Sequence, residues 1–138
     1  MKVNISSIKK LNHYALQLSK MISPGNYIYL NGDLGSGKTT FTQLLLKHLN
    51  YHGKVKSPTY AIYESYNLTQ FTLIHMDLYR LSSPEELYYI GADEIFNSTN
   101  VVIIEWPING TGVLPSPWLN LNFNFENSDE RYIDIDFT

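Results

Sequence analysis

No cysteine occurs among the 138 residues, which excludes disulfides, thiolate metal sites and a cysteine nucleophile. Arginine is scarce, with Arg80 and Arg131 the only two. No apolar run approaches the roughly 20 residues that span a bilayer. Met1 to Lys10 carries Lys2, Lys9 and Lys10 among polar residues instead of the apolar core of a secretion signal. A soluble, cytoplasmic protein is therefore expected, and the absence of thiols fits a reducing compartment. Charged residues make up only 17% of the chain, too few for a disordered or nucleic-acid-coating polymer. The 43% of hydrophobic residues suffices for one ordinary core, and the length suits a single domain over residues 1–138.

Charge is unevenly placed. Residues 1–66 hold all eight lysines against Asp33 and Glu64, a balance of +6, whereas residues 67–138 stand at −9. Solvated faces account for part of such a split. A basic side turned toward phosphates, or toward an RNA or an acidic partner, is the sharper reading.

Ile8, Leu11, Ala15, Leu18 and Ile22 recur at helical spacing, so an amphipathic helix is expected over Ser7 to Met21. Pro24-Gly25 ends it, and Tyr27 to Leu30 reads as a strand. After a Gly-rich turn, Phe41, Leu44, Leu45, His48 and Leu49 form the stripe of a second helix. Thr59 to Tyr66 and Gln70 to Met76 pair as a hairpin through Asn67 to Thr69. Ser83-Pro84-Glu85-Glu86 has the form of a helix start, with Ser83 as cap and Glu86 closing a capping box. Val101 to Ile104 is apolar throughout, as in a strand covered on both faces. Two alternating segments, Leu119 to Phe125 and Ile133 to Phe137, form a hairpin around the turn Asn127 to Glu130. The expected fold is α/β: a three-layer nucleotide-binding architecture whose mixed sheet has parallel core strands and antiparallel flanking strands.

Gly32-Asp33-Leu34-Gly35-Ser36-Gly37-Lys38-Thr39 satisfies G-x-x-x-x-G-K-[ST] at every fixed position, between a strand and a helix. Glycines permit the backbone angles and close approach of an anion nest. The helix that follows turns its positive end to the same phosphates. Asp33, Leu34, Gly35, Ser36, Gly37, Lys38, Thr39 and Thr40 are the candidate nucleotide-binding residues. Lys38 is expected to bridge the β- and γ-phosphates, and the Thr39 hydroxyl to bind Mg²⁺.

Such a loop needs a carboxylate on a neighbouring strand. Two candidate strands end in one, at Asp77 and Glu105, and the carboxyl ends of strands are where α/β sheets bind ligands. Asp77 is assigned to the water-mediated magnesium shell, and Glu105 to the metal or the attacking water, with the two roles exchangeable. Lys38, Asp77 and Glu105 are the catalytic candidates. There is no N-K-x-D guanine-reading motif, and Asp77-Leu78-Tyr79-Arg80 is not a D-x-x-G switch. Two arginines are few for a small-molecule kinase. That class, and a nucleotide-sensing module that never hydrolyses, are the alternatives.

The ordered blocks Gly32 to Thr40, Val55-Lys56-Ser57-Pro58-Thr59-Tyr60, His75 to Leu81, Pro84-Glu85-Glu86-Leu87 and Glu105-Trp106-Pro107, with Gly110 to Pro115, resemble the TsaE (YjeE) family. These are bacterial ATPases of tRNA threonylcarbamoyladenosine biosynthesis. The resemblance implies ATP and Mg²⁺ as ligands, and TsaD and TsaB as partners. TsaD transfers the threonylcarbamoyl group to adenosine 37, and weak ATP hydrolysis by TsaE resets the TsaB–TsaD complex. Contact with tRNA is implied only through that complex, and neither a membrane nor DNA is an expected partner. The resemblance also places Thr59 in a switch-like loop, where its hydroxyl meets Mg²⁺ or the γ-phosphate. Trp106 reads either as core packing or as a residue near the nucleotide. His75 shares a strand face with Asp77 and reads either as structural or as an adjunct to the site. Lys54 and Lys56 read as solvated or as phosphate contacts.

Overall fold

A computed structural model describes residues 1–56, 58, 61–127 and 129–138. The strands are β1 (Lys2–Asn4), β2 (Tyr27–Asn31), β3 (Tyr63–Asn67), β4 (Thr72–Asp77), β5 (Asn100–Glu105), β6 (Leu119–Phe125) and β7 (Arg131–Phe137). The helices are α1 (Ile8–Ser19), α2 (Lys38–His48), α3 (Glu86–Tyr89) and α4 (Ala92–Ile95), with a 3-10 turn at Pro107–Gly110. All seven strands join one sheet in the order β1-β7-β6-β2-β5-β4-β3. The four central strands β6, β2, β5 and β4 are mutually parallel. Antiparallel pairs flank them: β3 on β4, β7 on β6, and β1 on β7. This is the expected mixed sheet.

The apolar run at β5 is buried at every position, as its centrality requires. Its alternate side chains feed two cores. Val101 and Ile103 join Leu30, Phe41, Leu45 and Leu18 beneath α1 and α2, whereas Val102 and Ile104 join Met76, Leu87 and Ile95 beneath α3 and α4. Helices on both faces give the three layers. In the terminal hairpin Leu121 faces Ile135 and Phe123 faces Ile133. The apolar members point inward until Phe125 and Phe137, which are exposed at the strand ends.

Four details depart from expectation. α1 begins at Ile8, capped by the Ser7 hydroxyl, which accepts from the Lys10 amide at 3.2 Å. Ile8 itself is exposed and Tyr14 takes a place in the buried stripe. The turn between β3 and β4 is shifted to Leu68–Phe71, closed by the Leu68 N–H on the Phe71 carbonyl. No capping box forms at Ser83: the Glu86 N–H donates to the Ser83 backbone carbonyl. That tight turn takes up the amide that a Ser83 side-chain cap would accept from, and the single-turn α3 starts without a side-chain cap. Finally, β1 was not anticipated, being only three residues long; it is recruited by the edge of β7, where Val3 faces Ile133.

Ser7→Ala is expected to cost about 1 kcal/mol, the usual value of a serine N-cap. Urea denaturation would register this as a lower midpoint at unchanged slope.

Candidate nucleotide site

The four parallel strands end on one side of the sheet, and the chain turns there after each of them. After β2 it enters the loop Gly32–Gly37 and then α2. Gly32 has φ +144°, and a Cβ there would lie 2.8 Å from the Phe123 carbonyl oxygen, so both angle and space demand glycine. Gly37, with φ +106°, caps α2 in the left-handed region and leaves open space where its Cβ would be. Among the described residues, no backbone carbonyl accepts from the amides of Gly35, Gly37, Lys38, Thr39 or Thr40. A helix start leaves its first amides unpaired, and here they border a cleft of about 550 Å³.

Leu34, Gly35, Gly37, Lys38, Thr39, Thr40, Asp77 and Glu105 all line this cleft. Two of the candidate loop residues do not. Asp33 is exposed and its carbonyl accepts from the Ser36 N–H, while the buried Ser36 hydroxyl has no partner among the described residues. Both serve the loop's shape, Asp33 through its backbone carbonyl and Ser36 by packing its hydroxyl beside Gly32. Thr59 lies outside the described residues, as do Ser57, Tyr60 and Ser128.

Lys38 is 4% exposed. Its Nζ donates to the Gly32 carbonyl and stands 4.4 Å over the centre of the Trp106 ring. Burial pushes its ammonium below the ordinary lysine range, opposed by the carboxylates of Glu105, Asp77 and Asp33.

β4 and β5 bring the two carboxylates side by side, because Asp77 and Glu105 are register partners. Glu105 is buried. Its Oε2 accepts from His75 Nε2 at 2.6 Å and lies 3.5 Å from the Thr39 hydroxyl. Asp77 is half-buried, and its Oδ1 accepts from the Tyr79 N–H at 3.0 Å. Burial raises the Asp77 carboxyl above its ordinary value, the Tyr79 amide works against this, and the Glu105 charge adds to it.

The residues suit a magnesium nucleotide. A hydroxyl and two carboxylates supply hard oxygen donors, and unpaired amides with an ammonium supply the phosphate cradle. Among the described residues no three His, Asp or Glu side chains converge as a metal cage. Magnesium needs none, since it keeps waters and takes phosphate oxygens beside one or two protein groups.

The structure also brings further residues to the site. Arg131, at the start of β7, lines the cleft together with Arg80. It also borders a smaller neighbouring cleft that includes Ser6, Ser7, Ile8 and Thr40. Only the pairing of β6 with β2 carries Arg131 to the loop, so no local signal reveals it. Trp106 is half-buried in a left-handed conformation (φ 56°) with its ring 5.0 Å from that of Tyr79. It lines the cleft and also packs against the core beneath α3 and α4, so both readings hold. Lys54 and Lys56 remain on the surface, outside the cleft lining.

Comparison with known proteins agrees with this geometry. The model of the family described as threonylcarbamoyl adenosine biosynthesis protein TsaE matches residues 5–133. The TsaE protein of Haemophilus influenzae is 44% identical over 108 residues, covering 78% of this chain and 68% of that one. The TsaE protein of Rickettsia bellii is 35% identical over 132 residues, covering 95% of this chain and 91% of its own length. The crystal structure of Bacillus subtilis YdiB superposes with a TM-score of 0.77 at 29% identity, over 96% of this chain and 82% of that one. With its loop, its paired strand-end carboxylates and its sheet order in place, the chain belongs to the TsaE family of threonylcarbamoyladenosine biosynthesis proteins.

Proposed function

We propose that the chain is a magnesium-dependent ATPase that supports threonylcarbamoyl modification of tRNA adenosine 37 in the cytoplasm. It acts on a complex of TsaB and TsaD and resets that complex between turnovers. One observation carries the reading. Unpaired amides at the start of α2, a buried ammonium and the facing pair Thr39–Glu105 all open into one cleft.

The amides of Gly35, Gly37, Lys38, Thr39 and Thr40 and the Lys38 ammonium bind the polyphosphate at the positive end of α2. Thr39 and Glu105 hold the magnesium side of the site, and Asp77 holds water in the outer shell. Thr59 remains a proposed contributor through its hydroxyl. When bound, Mg²⁺ supplies positive charge against the phosphate oxygens as charge builds on the leaving group. In hydrolysis the water oxygen bonds to the γ-phosphorus, the bond from that phosphorus to the ADP oxygen breaks, and one proton is released. The carboxylates orient that water and exclude competing geometries. Trp106 and Tyr79 shield the ammonium side of the cleft from bulk solvent.

The test is a pull-down of TsaB and TsaD with and without ATP, followed by a hydrolysis assay on the mixture. Slow turnover by the chain alone and clear acceleration by the two partners together are expected. Partners that neither bind nor accelerate hydrolysis under saturating Mg-ATP refute the proposal.

A further inference from the structure

His75 is an expensive residue for its position. It is 1% exposed in β4, on the same face as Leu73, within the core beneath α1 and α2. Among the described residues its buried Nδ1 has no hydrogen-bond partner. An unpaired polar nitrogen in such a place costs free energy that leucine would not. What the imidazole gains in return, among the described residues, is one hydrogen bond, the 2.6 Å contact of Nε2 with Glu105 Oε2.

That contact bears on a second oddity. Lys38 and Glu105 are oppositely charged, both nearly fully buried, and close enough for each to feel the other's charge. Yet among the described residues they form no ion pair. Two such charges in a poorly solvated cleft attract strongly. Each is held elsewhere: the ammonium by the Gly32 carbonyl and the Trp106 ring, the carboxylate by His75. The oxygen that His75 holds is the one facing the Thr39 hydroxyl.

We infer that His75 is a positioning residue: it fixes the Glu105 carboxylate toward Thr39 and keeps it from closing an ion pair with Lys38. The site is thereby kept open before nucleotide arrives, with the metal-side oxygen already aimed. Outer hydrogen bonds of this kind commonly govern metal affinity by orienting the ligand. The inference rests on reading the cleft as a magnesium–nucleotide site.

The experiment measures the Mg²⁺ concentration that half-saturates binding of a non-hydrolysable ATP analogue, in the wild type and in His75→Gln, His75→Asn and His75→Leu. Glutamine can offer an N–H near the place of Nε2; asparagine is too short and leucine has no donor. Asparagine and leucine are expected to raise the Mg²⁺ midpoint about tenfold, the lower end for a lost outer-shell partner, and glutamine to restore it. Four equal midpoints overturn the inference and leave the site reading intact, as does a glutamine variant no better than asparagine. Wild-type binding that ignores Mg²⁺ sinks the site reading itself, and the inference with it. Side-chain ¹⁵N NMR of the wild type gives a check independent of whether the variants fold. The Nε2–H form of His75 is expected, and an imidazole carrying its hydrogen only on Nδ1 overturns the inference.

Discussion

Lys38→Ala should weaken ATP binding by at least about 30-fold, the equivalent of ~2 kcal/mol for one charge-assisted hydrogen bond. The side chain is already buried and already partly stripped of water, as its lowered proton affinity reflects. Much of the desolvation and ordering that a phosphate contact requires is therefore complete before the ligand arrives. In the free protein the ammonium rests on a neutral carbonyl and an aromatic face. Exchanging these for a charged phosphate oxygen strengthens the bond without immobilising a long side chain anew. Isothermal titration calorimetry with a non-hydrolysable analogue at fixed Mg²⁺ reads the change. Equal affinity in wild type and variant would mean that the ammonium does not meet the polyphosphate.

Much of this site is legible in the chain because its parts are local. Gly32 to Thr39 specify a glycine turn and a helix start within eight residues, and the structure builds both there. The apolar run ending at Glu105 marks a doubly covered strand, and it lies at the centre of the sheet. The parts that escaped are those that local pattern cannot encode. Arg131 reaches the cleft only through strand pairing from β7 through β6 to β2. His75 meets Glu105 across 30 residues of sequence because β4 and β5 run parallel in one register. Ser83 carried a capping signature that a four-residue helix has no room to use, its turn closing through the backbone instead. Local signals thus located the loop that lines the cleft, whereas the residues brought to it from other strands depend on sheet order.

Glu105→Gln should lower the rate of ATP hydrolysis about 100-fold or more, the scale on which one preorganised electrostatic contact acts in a water-poor site. The substitution keeps the side chain's volume and leaves an oxygen to accept from His75 Nε2, so strand-end packing is preserved. What disappears is the negative charge 3.5 Å from the Thr39 hydroxyl. Nucleotide affinity should change far less, because in the proposed site the loop amides and Lys38 hold the polyphosphate without this group. At saturating Mg²⁺ a change within about threefold is expected, as when a group acts mainly on the transition state. Asp77→Asn provides the contrast. Asp77 already spends one oxygen on the Tyr79 amide and is less deeply buried, so its charge is the better screened of the two. Single-turnover hydrolysis with excess protein separates the chemical step from product release. A rate lost in Asp77→Asn and kept in Glu105→Gln would exchange the two roles. A rate kept in both would remove the carboxylates from the chemistry and leave the cleft a binding site alone.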